Sequence, residues 1–100
     1  MPKRILLTPE AARNLSNIIG YLIQEWGVKV CSSFVTKFDG VCNRIAAAPA
    51  NYPIVYEKEN VRKCVLDKKN IIFFRISADV VEILAIFDTR QDPEKIKQLF

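Results

Sequence analysis

The apolar residues of this chain follow a helical spacing in its first half and a strand pattern in its second half. Between residues 8 and 48, large apolar side chains recur every three or four positions, the spacing of one face of an amphipathic helix. From residue 61 to residue 87 they form short runs rich in β-branched and aromatic residues, as strands do. This change of pattern predicts an α+β domain in which helices precede most of the sheet.

The first predicted helix begins at Thr8 and ends at Gly27. The Thr8 hydroxyl can cap the helix, Pro9 suits its first position, and glycine commonly follows a helix end. Residues at helical spacing form an apolar face: Leu15, Ile18, Ile19, Leu22 and Trp26. The outer face is polar: Arg13, Asn14, Asn17 and Gln24. We expect Trp26 to cap the core of a helical hairpin.

The second predicted helix ends near Ala48-Pro49, because proline cannot continue a helix and disfavours helical geometry in the residue before it. Its apolar stripe repeats the pattern of the first helix: Cys31, Phe34, Val35, Phe38, Val41, Cys42 and Ile45. Two amphipathic helices joined by a tight turn at Gly27 make a helical hairpin.

The remaining segments predict a sheet and a short last helix. Residues 3–7 indicate a first strand, and residues 50–60 indicate an irregular loop. Three antiparallel strands are predicted at 61–66, 71–76 and 80–87, with connections short enough for hairpins. Asp92-Pro93-Glu94 opens the C-terminal helix. The whole chain, residues 1–100, is expected to form one domain with the helical hairpin packed on one face of a β-meander.

The composition excludes several kinds of chemistry. The chain has no histidine, which removes the commonest general base and every Ser-His or Cys-His nucleophile pair. Cys31, Cys42 and Cys64 are widely spaced, so we expect reduced, buried thiols and no metal site. With only three glycines, no glycine-rich phosphate loop can form, and we expect no cofactor. The apolar runs are far shorter than the roughly 20 residues of a membrane span, and no signal peptide is recognisable, so we expect a cytoplasmic protein without membrane contact.

Basic residues are concentrated late in the chain. The stretch 58–75 holds six basic and two acidic residues, a net charge of +4 that equals the formal charge of the whole chain. The basic residues are Lys58, Arg62, Lys63, Lys68, Lys69 and Arg75. Arg90 follows at the end of the last strand, and antiparallel pairing is expected to gather several of these at one sheet edge, where they would attract phosphate or acidic protein. Lys68 and Lys69 by themselves are better explained as a solvated turn, whereas Arg75 and Arg90 interrupt or end apolar strands.

Four stretches, in order and over nearly the whole chain, resemble the RelE/ParE family of bacterial toxins. They are the helix from Thr8 that closes with Gln24-Glu25-Trp26-Gly27, the helix stop Ala46-Ala47-Ala48-Pro49, the strand pair 61–66 and 72–76, and the last strand 81–93 with its Arg90 and Pro93. The resemblance implies the toxin of a type II toxin–antitoxin pair, of the kind linked to plasmid stabilisation. It also implies an antitoxin encoded beside the toxin that neutralises it in a hetero-oligomer.

The family has two modes of action, and the resemblance implies a residue set for one of them. Its ribonuclease members cleave mRNA on the ribosome with basic side chains, in which a lysine acts as base and arginines stabilise the charged phosphate. Carried over, this set is Lys63, Arg75 and Arg90. However, Ile71 stands where relatives often have an arginine, and no tyrosine or histidine follows Arg90.

The ParE branch binds DNA gyrase and needs no catalytic set, and this sequence fits that branch better. We therefore favour a toxin that is not an enzyme and that inhibits gyrase. Its target-binding residues are predicted to be Lys58, Arg62, Lys63, Arg75 and Arg90. A ribosome-dependent mRNA endoribonuclease is the alternative, and a non-toxic basic module that binds nucleic acid is a further alternative.

Overall fold

A five-stranded sheet and a helical hairpin dominate the fold in the computed structural model, which describes residues 2–100 apart from the side chain of Lys97. The elements follow in the order β1 (Arg4–Leu7), α1 (Pro9–Trp26), α2 (Val28–Ala47), β2 (Ile54–Tyr56), β3 (Val61–Val65), β4 (Asn70–Ser77), β5 (Val80–Asp88) and α3 (Glu94–Leu99). Short 3₁₀ turns at Pro49–Asn51 and Glu57–Glu59 flank β2. The α+β class and the order strand, hairpin, meander and short helix are confirmed.

The sheet has the strand order β1-β5-β4-β3-β2 and is larger than the predicted meander. Strands β3, β4 and β5 pair in antiparallel fashion as expected, and β1 joins the outer side of β5 in parallel. The prediction of an irregular loop over residues 50–60 is wrong at Ile54–Tyr56, which pairs with β3. Three residues after Pro53 are too short to give an alternating pattern, so only the pairing with β3 defines this strand.

Local capping explains the bounds of the hairpin. The Thr8 hydroxyl accepts a hydrogen bond from the Ala11 N–H at 3.1 Å, which satisfies a free donor at the start of α1. Gly27 has φ of +89°, a conformation that residues with a Cβ rarely adopt, and α2 begins at the next residue. The predicted helical hairpin is therefore confirmed.

The core lies on both faces of the sheet. On one face, Phe38 and Ile45 of α2 pack with Ile72, Phe74 and Ile83 of the strands. Complete burial of such side chains stabilises the fold by about 1.5–3 kcal/mol each. The other face carries a smaller cluster, which is covered by the last helix and the C-terminal residue: Val61, Phe73, Phe87, Ile96 and Phe100. Coverage on both sides explains the unbroken apolar runs in β4 and β5.

A β-bulge in β5 fixes α1 above the sheet. Phe73 pairs with Ala85 and Phe74 with Ile83, so Leu84 is an extra residue on β5. The Thr8 hydroxyl donates to the Leu84 carbonyl at 2.9 Å. The Ile86 N–H donates to Oδ1 of Asn14 at 3.0 Å.

Two predictions about the faces of α1 are therefore wrong. Asn14 turns toward the sheet, since the bulge supplies a backbone donor that needs an acceptor, and helical spacing cannot reveal this. Trp26 does not cap the hairpin core, because its exposed fraction is 64% and that of Val28 is 72%. Burial falls along α1 from Ala11, which is fully buried, toward a hairpin tip that is exposed.

Candidate functional site

A groove of about 720 Å³ separates the helical hairpin from one end of the sheet. Its floor is apolar and comes from both layers, with Ile18 of α1, Phe34 of α2 and Ile86 of β5. Its rim carries four basic side chains: Lys37, Lys68, Lys69 and Arg90. Pockets of roughly 300–1,000 Å³ with an apolar lining and a few polar groups are typical of binding sites, so this groove is a candidate site for a partner.

The wall that α1 contributes continues its apolar face from Ile18, which also packs against the core, toward the hairpin tip. Ile18, Leu22 and Trp26 follow each other at intervals of four residues and line the groove, with Tyr21 beside them. Tyr21 is 50% exposed, so its ring and the indole of Trp26 are available for contact. Part of the predicted apolar face of α1 therefore packs on the core, and the part toward Trp26 leaves an apolar surface open to the groove.

Arg90 lies on the rim of the groove and is held by Asp88. Its Nε donates to Oδ1 of Asp88 at 3.0 Å and its Nη2 to Oδ2 at 2.7 Å, and its backbone N–H also donates to Oδ1, at 2.8 Å. The hydrogen bonds from Arg90 lower the pKa of Asp88, and Asp88 in turn raises the pKa of Arg90, with a smaller contribution from the Tyr21 phenol. The guanidinium therefore stays charged and oriented at an exposed position.

The turn between β3 and β4 is bound to the end of β5 and completes the rim. The Thr89 N–H donates to the Lys69 carbonyl at 2.8 Å, and its hydroxyl donates to the Lys68 carbonyl at 3.0 Å. Oδ1 of Asp67 accepts from the backbone N–H groups of Lys69 and Asn70 at 2.8 and 2.9 Å. Lys68 and Lys69 are exposed, as expected for a solvated turn, but this turn also borders the groove.

The other predicted site residues lie elsewhere on the sheet. Arg75 is opposite Glu82 on β5, with Nε 3.2 Å from the Glu82 carboxylate and Nη1 3.6 Å from that of Glu59. Lys63 faces the same side of the sheet as Arg75, because it pairs with Phe73, two residues before Arg75 on β4. Arg75 therefore lies between two carboxylates on the sheet face away from the hairpin.

Arg62 and Lys58 also lie outside the groove. Nη1 of Arg62 donates to the carbonyls of Tyr52 and Ala50 at 2.6 and 3.3 Å, which ties the loop after α2 to β3. Lys58 is exposed in the 3₁₀ turn at Glu57–Glu59.

The fold does not bring Arg90 to Arg75 and Lys63. Glu82, which faces Arg75, and Asp88, which holds Arg90, are six residues apart on β5. At about 3.3 Å per residue this separation is roughly 20 Å, too far for both guanidinium groups to contact one phosphate. Arg90 therefore lies with Lys68 and Lys69 on the groove rim and apart from Arg75 and Lys63, so the basic residues form two groups where one was expected.

Several groove residues were not predicted from the sequence. Tyr21 and Lys37 reach the groove only because of how the two helices pack, and no local pattern indicates this. Asp88 did have a signal, because residues two apart on a strand point to the same side, and Asp88 and Arg90 have this spacing at a strand end. An acidic and a basic residue at such positions predict an ion pair.

The cysteines are confirmed as buried, free thiols. Burial is the main cause that raises the pKa of Cys42 to about 11, with smaller contributions from Asp39 and Cys64. A thiol with such a pKa stays protonated near neutral pH and acts as a small apolar side chain. Among residues 2–100, no helix is long and apolar enough to cross a membrane.

Comparisons with known proteins agree with the fold. A family model for the ParE toxin of the type II toxin–antitoxin system parDE matches residues 5–93. A solved chain of the chromosomal ParDE toxin–antitoxin system from P. aeruginosa is 18% identical and has a TM-score of 0.73, over 86% of this chain and 95% of that chain. No curated protein matches the sequence. Because the family model covers almost the entire length, the chain belongs to the ParE toxin family of type II toxin–antitoxin systems.

Proposed function

We propose that this chain arrests growth by binding DNA gyrase, and that a cognate antitoxin neutralises it by occupying the groove. The observation that carries the proposal is the groove itself, with an apolar floor, exposed Tyr21 and Trp26, and a rim of basic side chains. Such a surface fits an amphipathic protein segment that has an apolar stripe flanked by acidic residues. The formal charge of +4 further favours an acidic partner.

The distribution of the arginines supports binding over RNA cleavage. Stabilising a charged phosphate in a transition state requires donors that converge on one point. Arg75 is already engaged by Glu82 and Glu59, and Arg90 lies roughly 20 Å away along the sheet. A toxin that acts by binding needs no such convergence, which agrees with inhibition of gyrase.

The alternative is a ribosome-dependent mRNA endoribonuclease. One observation favours it, since Lys63 and Arg75 share a sheet face on neighbouring strands. In that case Lys63→Ala and Arg75→Ala would abolish codon-positioned cuts in mRNA while the chain still folds. Expression without growth arrest, combined with steeply salt-dependent binding of DNA or RNA, would instead support a non-toxic basic module.

The proposal is tested by induced expression followed by assays of gyrase and of transcripts. We expect growth arrest, loss of DNA supercoiling by gyrase in the presence of the purified chain, and intact mRNA. Coexpression of the protein encoded beside this gene should restore growth. Transcript cuts on translating ribosomes, with gyrase unaffected, would contradict the gyrase proposal.

A matched pair of variants tests the role of the groove. Arg90 and Arg13 both have 63% exposed side chains, and each pairs with a carboxylate, at 2.7 and 2.8 Å. Arg13 lies outside the groove, so Arg13→Ala is the control for Arg90→Ala. We expect the antitoxin to rescue cells that express the Arg13 variant at the normal dose and to require a higher dose for the Arg90 variant, provided that the Arg90 variant remains toxic.

A further inference from the structure

We propose that Asp88 is a positioning residue, which orients the Arg90 guanidinium so that its free N–H groups bind a carboxylate of the segment that fills the groove. This inference rests on the proposed function, because the antitoxin is the proposed occupant. It adds the identity of the polar contact that fixes the register of that segment, and it assigns Asp88 a role beyond local charge balance.

The geometry of the ion pair leaves one edge of the guanidinium open. An arginine has five N–H donors in a rigid planar fork. Asp88 accepts from Nε and from one N–H of Nη2, so three N–H groups remain. Among the residues that the structure describes, no acceptor contacts these three. They include one N–H on each Nη atom along the far edge, an arrangement that fits a second carboxylate through two parallel hydrogen bonds.

The Asp88 carboxylate is well suited to hold this orientation. Asp88 pairs with Asn70 in the sheet, and the next residue, Thr89, is bonded to the carbonyls of Lys68 and Lys69. Its side chain is 27% exposed, whereas that of Arg90 is 63% exposed. A shielded and anchored acid therefore holds an exposed base, which reduces the rotamer freedom that Arg90 would otherwise lose on binding.

The surrounding charges favour an acidic occupant even though Asp88 is present. The groove is lined by four basic residues, Lys37, Lys68, Lys69 and Arg90, and by two acidic ones, Asp67 and Asp88. Asp67 is engaged by the backbone N–H groups of its own turn, and Asp88 by Arg90. The field in the groove is thus positive, and the free edge of Arg90 is its most directional donor.

A simpler role for Asp88 makes the opposite prediction. If Asp88 only neutralised Arg90, it would compete with an acidic partner, and removing its charge would strengthen binding. If Asp88 positions Arg90, the same change weakens binding. The sign of the effect of Asp88→Asn therefore separates the two roles, particularly at about 0.5 M salt, where a screening length of about 4 Å suppresses the general effect of one lost charge.

The first experiment measures the orientation of Arg90 in the whole chain without any partner. In ¹⁵N NMR of arginine side chains, we expect the Nε–H of Arg90 to give a sharp signal with slow solvent exchange, assigned by its loss in Arg90→Lys. Asp88→Asn should shift this signal to the position of an unrestrained arginine. The control is Asp39→Asn, which removes the same charge from an exposed position outside the groove. An unchanged Arg90 signal in Asp88→Asn would overturn the positioning role.

The second experiment measures binding of the purified protein encoded beside this gene at about 0.5 M salt. We expect Arg90→Ala to weaken binding about tenfold, the scale of a lost charge-assisted hydrogen bond. Asp88→Asn should weaken it about two- to fivefold, and should have no effect when Arg90 is already alanine. Circular dichroism and thermal unfolding verify that each variant is folded.

The outcomes separate the inference from the proposed function. If the wild-type chain binds and Asp88→Asn binds equally well or better, the positioning role is wrong and the groove proposal stands. If the wild-type chain does not bind at all, the proposed function fails together with the carboxylate contact. Arg90-dependent binding of a single-stranded oligonucleotide in place of the protein would also overturn the carboxylate assignment.

Discussion

Near each end of strand β5 an arginine lies beside acidic residues, Arg75 on the neighbouring strand β4 and Arg90 just past the end of β5, and the two differ in their surroundings. At one end, Arg75 lies between Glu82 and Glu59 and its side chain is 36% exposed. At the other end, Arg90 is bound by Asp88 and by no other residue within the described part of the chain, and its side chain is 63% exposed at the rim of the groove. The first arginine lies between two carboxylates outside the groove, whereas the second keeps free donors at the rim of the groove. An arginine that ends or interrupts an apolar strand therefore has a role that depends on what lies across the sheet.

The surroundings of the two arginines explain this difference. Arg75 sits inside a strand, where the antiparallel register places Glu82 directly opposite. Arg90 lies just past a strand end, where the chain leaves the sheet and the helical hairpin stands across an open groove. A binding role is thus expected for the end with the groove, and a structural role for the end with two carboxylates.

The largest expected loss of stability comes from a substitution in the core of the sheet. Phe74 is fully buried, and its ring packs edge to face against that of Tyr52, with the two ring centroids 5.7 Å apart. We expect Phe74→Ala to lower the free energy of unfolding by about 3–5 kcal/mol through lost burial and a cavity, measured by urea denaturation. Val65→Ala is the control, since Val65 is 60% exposed, and a loss of similar size there would contradict the assignment of the core.

A smaller loss of stability is expected for a substitution at the end of β5 that borders the groove. Asn14→Ala removes the acceptor of the Ile86 N–H at the bulge in β5. Leaving that backbone donor without a partner should cost about 1–3 kcal/mol in the free energy of unfolding. Asn17→Ala, on an exposed site nearly one turn further along α1, should cost much less. Amide exchange of Ile86 checks the cause, since it should accelerate in Asn14→Ala only.

At the end of β5 away from the groove, Arg75→Ala should be mildly destabilising without affecting binding of the antitoxin. It leaves Glu82 and Glu59 without their shared cation, and the partial exposure of the pair limits the cost to at most about 1 kcal/mol. In a Glu82→Gln background the same substitution should cost less, which a double-mutant cycle measures. Loss of antitoxin binding in Arg75→Ala would break the contrast between the two ends.

The smallest effect concerns how the free energy of unfolding depends on pH under acidic conditions. The hydrogen bonds from Arg90 lower the pKa of Asp88 below its ordinary value of 3.8. A group whose pKa is lower in the folded state stabilises the fold above its unfolded pKa, and this contribution is lost as the pH falls through the folded pKa. The difference in the free energy of unfolding between the wild type and Asp88→Asn should therefore begin to shrink as the pH falls below 3.8, and it should vanish only below the folded pKa of Asp88. Carboxyl NMR titration tests the cause, because the pKa of Asp88 should rise in Arg90→Ala and stay unchanged in Arg13→Ala.

The sequence predicted the fold because local signals and the global architecture agree. The hydroxyl of Thr8, the positive φ of Gly27 and the stop at Pro49 set the hairpin, and the apolar runs set β3, β4 and β5. The short strand at Ile54–Tyr56 was missed, because only its pairing with β3 defines it. The bulge at Leu84 was also missed, since it depends on matching two strands over their full length.

The site was predicted less completely than the fold. Arg90 was identified because a cation ends an apolar strand, and the structure leaves it accessible. Arg75 was selected by the same rule, but its carboxylate partners come from the sheet register and from a loop. Tyr21 and Lys37 reach the groove through helix packing, which no local pattern encodes. Residue type therefore indicated candidates, and tertiary pairing decided which of them border the groove.

Amide hydrogen exchange of the whole chain, with and without the protein encoded beside its gene, distinguishes binding in the groove from binding elsewhere on the sheet. We expect binding to protect the second half of α1, the turn at 67–70 and residues 86–91, which surround the groove. We expect no change around Glu59, Lys63 and Arg75, which lie away from it. Protection confined to these last residues, with the groove exchanging as in the free chain, would show that the groove is not the binding site.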